Sequence, residues 1–178
     1  RAFVAGGALL FASFFLEALL SPLAGRLLRA AVVTFQFLAF ARIYRRPQAR
    51  AWTAHALWLS YWLIAAGLWL AALRPAYEVA ALHVTFIGGF GLMMLVMALR
   101  VITSHGAAEA WWDTSRWLPA GLVAGAVAAV SLRMAAPLWP AHYLPLLAAG
   151  ALTWMVVLLT WGLRLLPRVT PRHRPDLK

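Results

Sequence analysis

Apolar positions fall into six long runs, cut by short clusters of arginine, proline and serine. The first run spans Ala2 to Leu20 and stops at Ser21-Pro22. The second spans Leu27 to Tyr44 and ends among Arg42, Arg45, Arg46 and Pro47. The third spans Trp52 to Leu73, closed by Arg74-Pro75. The fourth spans Glu78 to Thr103, the fifth Trp117 to Ala136, and the sixth His142 to Leu166. A membrane-crossing helix needs about 20 predominantly apolar residues. No run alternates with the period of a barrel strand. Lipid forces each segment to satisfy its own backbone hydrogen bonds. The pattern predicts an all-α integral membrane protein, a bundle of six transmembrane helices. Ser104 to Arg116 is the one long connection. Its Ala107-to-Asp113 stretch, with Trp111 and Trp112, predicts a short interfacial helix between spans four and five. Residues 1–167 are expected to form one transmembrane domain and residues 168–178 a basic cytoplasmic tail.

Composition agrees. Apolar residues make up 64% of the 178 and charged residues 12%, against roughly half and a quarter in soluble domains. That excludes a disordered chain, a nucleic-acid-binding domain and an ordinary soluble enzyme. The net charge of +11 is therefore read as an orientation signal. Twelve of the Lys and Arg residues fall on the side of the Arg45 loop and the C-terminal tail; Arg26, Arg29, Arg74 and Arg133 fall on the other. The positive-inside rule then puts the C-terminus in the cytoplasm. The tryptophans cluster near span ends, except Trp62, Trp69 and Trp154, which are expected to pack between helices. With no cysteine, disulfides, zinc–thiolate sites and iron–sulfur clusters are excluded. The chain opens on Arg1, so it is read as processed or a fragment, and no N-terminal signal is judged.

Ionisable and strongly polar residues inside a membrane are costly and mark function by default. They are Glu17, Gln36, His55, His83, Arg100, His105, Arg133, His142 and Arg164. His83 and His105 lie 22 residues apart in span four. On an α-helix their directions differ by about 40°, and their heights by roughly 33 Å. They cannot share a metal, but each can anchor a site near one membrane face. Gly88, Gly89 and Gly91 permit either close helix packing or space for a flat cofactor, walled by Ile87 and Phe90. Topology pairs His55 with His105 on one side, and His83 with His142 on the other. Imidazole is the usual axial ligand of b-type haem and also suits copper. Arg100 can snorkel to headgroups or grip a haem propionate. The span-four methionines read as core filler.

Span four also resembles the NnrS family of bacterial membrane proteins. The resemblance rests on His83-Val84-Thr85-Phe86-Ile87-Gly88-Gly89-Phe90-Gly91-Leu92-Met93-Met94, followed by Arg100-Val101-Ile102-Thr103-Ser104-His105-Gly106. Trp52-Thr53-Ala54-His55 is similar to that family's preceding histidine helix, and Pro167-Arg168-Val169 to its close. The likeness covers about residues 50 to 170. It implies a haem- and copper-associated membrane protein of nitric-oxide stress and denitrification, with the signature residues at His83, His105, Arg100 and His55. His142 enters on topology alone. The family usually has about twelve spans, so this chain resembles its C-terminal half. The Gly106-Ala107-Ala108-Glu109 stretch departs from the family's Thr-Gly-Arg.

Three functions compete. The first is an NnrS-like protein binding haem b, and copper, through intramembrane histidines. The second is a non-catalytic scaffold subunit of a larger respiratory or photosynthetic complex. The third is a transporter half, which the nearly apolar midplane disfavours. Expected partners are the lipid bilayer, other membrane subunits, or an N-terminal half with six further helices; nucleic acid is not one. No Ser–His–Asp or paired-carboxylate arrangement supports hydrolysis.

Overall fold

The structure is a computed structural model that describes residues 2–49, 51–105 and 117–169, with side chains at 103–105, 118–119 and 166–169 outside the description. Its elements are α1 (Ala2–Leu19), α2 (Pro22–Gln36), α3 (Trp52–Leu73), α4 (Glu78–His83), α5 (Leu92–His105), α6 (Trp117–Ala135) and α7 (Tyr143–Val169). There is no strand among the described residues. Among the described residues six helical spans are long and apolar enough to cross a membrane: Ala2–Leu19, Pro22–Ala41, Trp52–Leu73, Pro75–Ile102, Ala120–Leu138 and Pro140–Leu165. The expected interfacial helix, with Trp111 and Trp112, lies outside the described residues, as does the tail beyond residue 169.

Local chemistry sets the breaks. Ser21 caps α2 by accepting a hydrogen bond from the Ala24 amide at 3.3 Å, and Pro22 opens the helix. That is the ordinary N-terminal arrangement, since the first amides have no helical partner. The second span continues as a π-helical turn over Phe37–Ala41 and stops at Arg42, which is left-handed with φ of 50°. The helix therefore ends earlier than Tyr44, where hydropathy placed it. Pro75–Tyr77 forms a 3₁₀ turn into α4; Ala136–Leu138 and Pro140–His142 form two more between α6 and α7.

The fourth span is not uniform. Between α4 and α5 the chain runs as a π-helix over Val84–Gly91. The Leu92 amide still reaches back five residues to the Ile87 carbonyl. Three glycines in eight residues offer little side-chain packing to hold an α-helical turn, and α3 presses on this segment. A methyl on Gly67 would meet the Thr85 side chain and sit 2.7 Å from the Thr85 amide nitrogen; a methyl on Gly89 would sit 3.1 Å from the Ile64 nitrogen. The wider winding is the backbone's answer to that approach. It also breaks the α-helical extrapolation from His83 to His105, because the residues between do not turn 100° each.

α3 and the fourth span are the centre, with about four in ten residues of each apolar window buried, against 11% for the first and last spans. The α1–α2 hairpin packs through α2 on α3; the α6–α7 hairpin packs on the fourth span. The aliphatic core occupies one half of the bundle's height. It joins Leu95 and Leu99 of α5 to Leu122 of α6 and Val157 and Leu165 of α7. Trp161 ties these helices by donating to the Leu95 carbonyl at 3.3 Å. The opposite half is packed largely by glycine and alanine, and there the ion pairs lie.

Candidate functional site

His83 ends α4 in the glycine-rich half. Its Nδ1 lies 2.6 Å from the carbonyl of Val79, one turn back. A carbonyl can only accept, so Nδ1 donates. In the neutral ring this leaves Nε2 as the bare lone-pair nitrogen, the tautomer that a metal-ligating histidine needs. The ring borders a cavity of about 280 Å³. Tyr77, Glu78, Arg133 and Tyr143 line it with His83, and Pro75, Pro137 and Leu147 complete the wall. The 3₁₀ turns deliver these groups: one carries Tyr77 and Glu78 beside α4, and two carry Tyr143 to the end of α6.

Next to the cavity lies an ion-pair network. Arg26 reaches Glu17 at 3.1 Å and Glu78 at 2.7 Å, while Arg29 reaches the other oxygen of Glu17 at 2.6 Å. Arg26 thus ties span one to span four, with both arginines less than a fifth exposed. Arg29 also stacks on the Phe14 ring at 3.8 Å. Gly25 makes the approach possible, since a methyl there would lie 2.6 Å from the Glu17 backbone. Glu17 is therefore interhelical glue. Gln36 fills the notch over Gly6.

The expected residues are distributed unequally. His83 lines the cavity. His142 lies at the same end of the bundle, but it is exposed and outside the lining. His55 sits at the opposite end, exposed, with its Nδ1 3.2 Å from the Ala51 carbonyl. Arg100 belongs to that end and its side chain is exposed. His105 closes α5 there, with its side chain outside the described residues. Among the described residues no three His, Cys, Asp or Glu converge as a metal-holding group.

The glycines do not open the expected cavity. A methyl on Gly88 would sit 3.2 Å from Leu63 and 3.3 Å from Val130; one on Gly91 would sit 2.9 Å from Trp154. Neighbouring side chains already fill that space, and Phe90 points outward at 44% exposure. The cavity lies instead at the helix end, between His83 and Arg133. Sequence reasoning ranked Arg133 among the intramembrane charges but missed it, with Glu78, Tyr77 and Tyr143, as a neighbour of His83. The available signal was proline: Pro75, Pro137 and Pro140 mark the turns that bring the two ends together. Of the deep tryptophans, Trp69 donates to Thr34 at 3.0 Å and Trp154 covers Gly91, whereas Trp62 is 38% exposed.

No curated protein and no solved structure matches the chain. A family model described as NnrS protein matches residues 1–172, so the likeness reaches through the first two spans as well as the last four. The signature carrying His83, its glycines and Arg100 sits within a membrane protein that belongs to the NnrS family.

Proposed function

We propose that this chain is a haem-binding protein of the bacterial inner membrane that serves the nitric-oxide response, with His83 as an axial ligand. The observation that carries the reading is the Val79 carbonyl holding His83 Nδ1. It fixes the ring on a helix end and leaves Nε2 as the ligating atom beside a cavity. Haem fits this donor set because a porphyrin brings its own equatorial nitrogens and asks the protein only for axial imidazole. When bound, haem iron supplies a centre for a diatomic gas. The chain's own residues hold the imidazole through the Val79 carbonyl and line the cavity with Tyr77, Glu78, Arg133 and Tyr143 beside proline and leucine. Copper asks for more donors from the chain, and no three of the candidate groups converge among the described residues. Copper is thus the secondary cofactor in this reading. His105, with Arg100, remains the proposed second site at the opposite membrane face, where the positive-inside count also places the cytoplasm.

Reduced-minus-oxidised absorbance on the purified chain tests the reading. A b-type signal is expected in the wild type. His83→Ala should lower the affinity for haem at that site at least tenfold, in line with losses of 10- to 100-fold when only the support of a metal ligand is removed. Absence of that signal in the wild type would leave the second reading, a scaffold subunit of a larger membrane complex, which the filled glycine notches favour.

A further inference from the structure

Arg133 lies in the last turn of α6, inside the fifth span. Gly150 of α7 lets its stem pass, with the Arg133 Cγ 3.4 Å from where a methyl would stand. Its Nε is buried and has no hydrogen-bond partner. No acid pairs with it among the described residues: Glu17 is taken by Arg26 and Arg29, and Glu78 by Arg26. A buried guanidinium nitrogen without a partner is costly. The same side chain borders the cavity that His83 borders, where Tyr77 and Tyr143 add hydroxyl donors. Glu78 also borders it, but Arg26 holds its carboxylate at 2.7 Å.

We propose that Arg133 is an anion-binding residue, and that the cavity between α4 and α6 takes a carboxylate or phosphate group against it. A guanidinium meets either oxyanion in a two-pronged hydrogen bond. The anion has two possible sources of shared chemistry: a haem propionate, which rests on the function proposed above, or the phosphate of an anionic lipid, which does not. Arg100 cannot serve this cavity, because it lies at the other end of the bundle.

The test uses the full chain in uncharged detergent, as wild type, Arg133→Gln, Arg133→Lys and His83→Ala. Haem b and its dimethyl ester are titrated by absorbance; phosphatidylglycerol and diacylglycerol adducts are counted by native mass spectrometry. Arg133→Gln should weaken haem or phosphatidylglycerol about tenfold or more, the usual weight of a hydrogen bond to a charged group. The ester and the uncharged lipid should be unaffected, and Arg133→Lys should retain part of the binding. Loss confined to haem names the propionate; loss confined to phosphatidylglycerol names the lipid. Equal binding of all four probes by Arg133→Gln overturns the proposal. So does a lower apo melting temperature in that variant, because it would mean that Arg133 already had a partner within the chain. Unchanged haem binding in His83→Ala, with the Arg133 effect intact, removes His83 as the residue that holds haem and keeps the anion site.

Discussion

Two glycines on the outer and inner spans show how much a single hydrogen atom decides here. Around Gly7 there is open space; against Gly67 stand the Thr85 amide at 2.7 Å and the Ala81 carbonyl at 2.8 Å from any added methyl. Backbone cannot step aside as a flexible side chain can. Gly67→Ala should therefore destabilise the folded chain by about 1–3 kcal/mol, the usual cost of overpacking, while Gly7→Ala should leave it unchanged. Thermal unfolding of both variants in detergent checks the contrast; equal stability would mean that α3 and the fourth span are not in close contact. Arg42 is the opposite kind of residue. Its left-handed backbone, with φ of 50°, ends the second span in a conformation that disfavours most side chains. That is why hydropathy, which counts side chains only, ran past it.

At the scale of elements, the fourth span keeps one apolar face outward through its π-helical stretch. Its exposed large apolar residues are Val79, Phe86, Phe90, Met94, Met97 and Val101. From Phe86 they recur every four residues to Met94, and then at three and four in α5. The natural sequence lacks cysteine, so single cysteines across 78–102 can be labelled by a lipid-soluble thiol reagent. Labelling should peak at those positions and stay low at Ala80, Val84, Leu92, Leu95, Val96 and Leu99, which are buried; equal labelling of the two sets would mean that the fourth span is not packed within the bundle. The six spans themselves were legible, because burying twenty apolar residues in lipid leaves an unmistakable run. The histidine at the end of α4 was legible too, since an imidazole between Ala80-Ala81 and a glycine cluster stands out. The π-helix was not, because it answers a contact from α3 that no local pattern encodes. Nor was the pairing of His83 with Arg133, which lie 50 residues apart and meet only when α4 and α6 pack. An arginine in the last turn before Pro137 reads equally well as a snorkelling end residue.

Across the whole molecule, polarity is divided by height. The Leu95–Leu165 half has an aliphatic core, and the other half concentrates Glu17, Arg26, Arg29, Glu78, His83 and Arg133 around small residues. The ion pairs there have a consequence for the order in which the chain enters the membrane. When α1 and α2 emerge from the ribosome, Arg26 and Arg29 have one acid between them, Glu17. The second acid, Glu78, follows some fifty residues later, at the head of the fourth span. Until it arrives, Arg26 has only Glu17 to pair with. The late carboxylate then ties the finished hairpin to the fourth span. Glu78→Gln should loosen that attachment and lower the unfolding temperature of the full chain in detergent. An unaltered unfolding temperature would mean that the pair adds nothing to the packing of the hairpin on the fourth span.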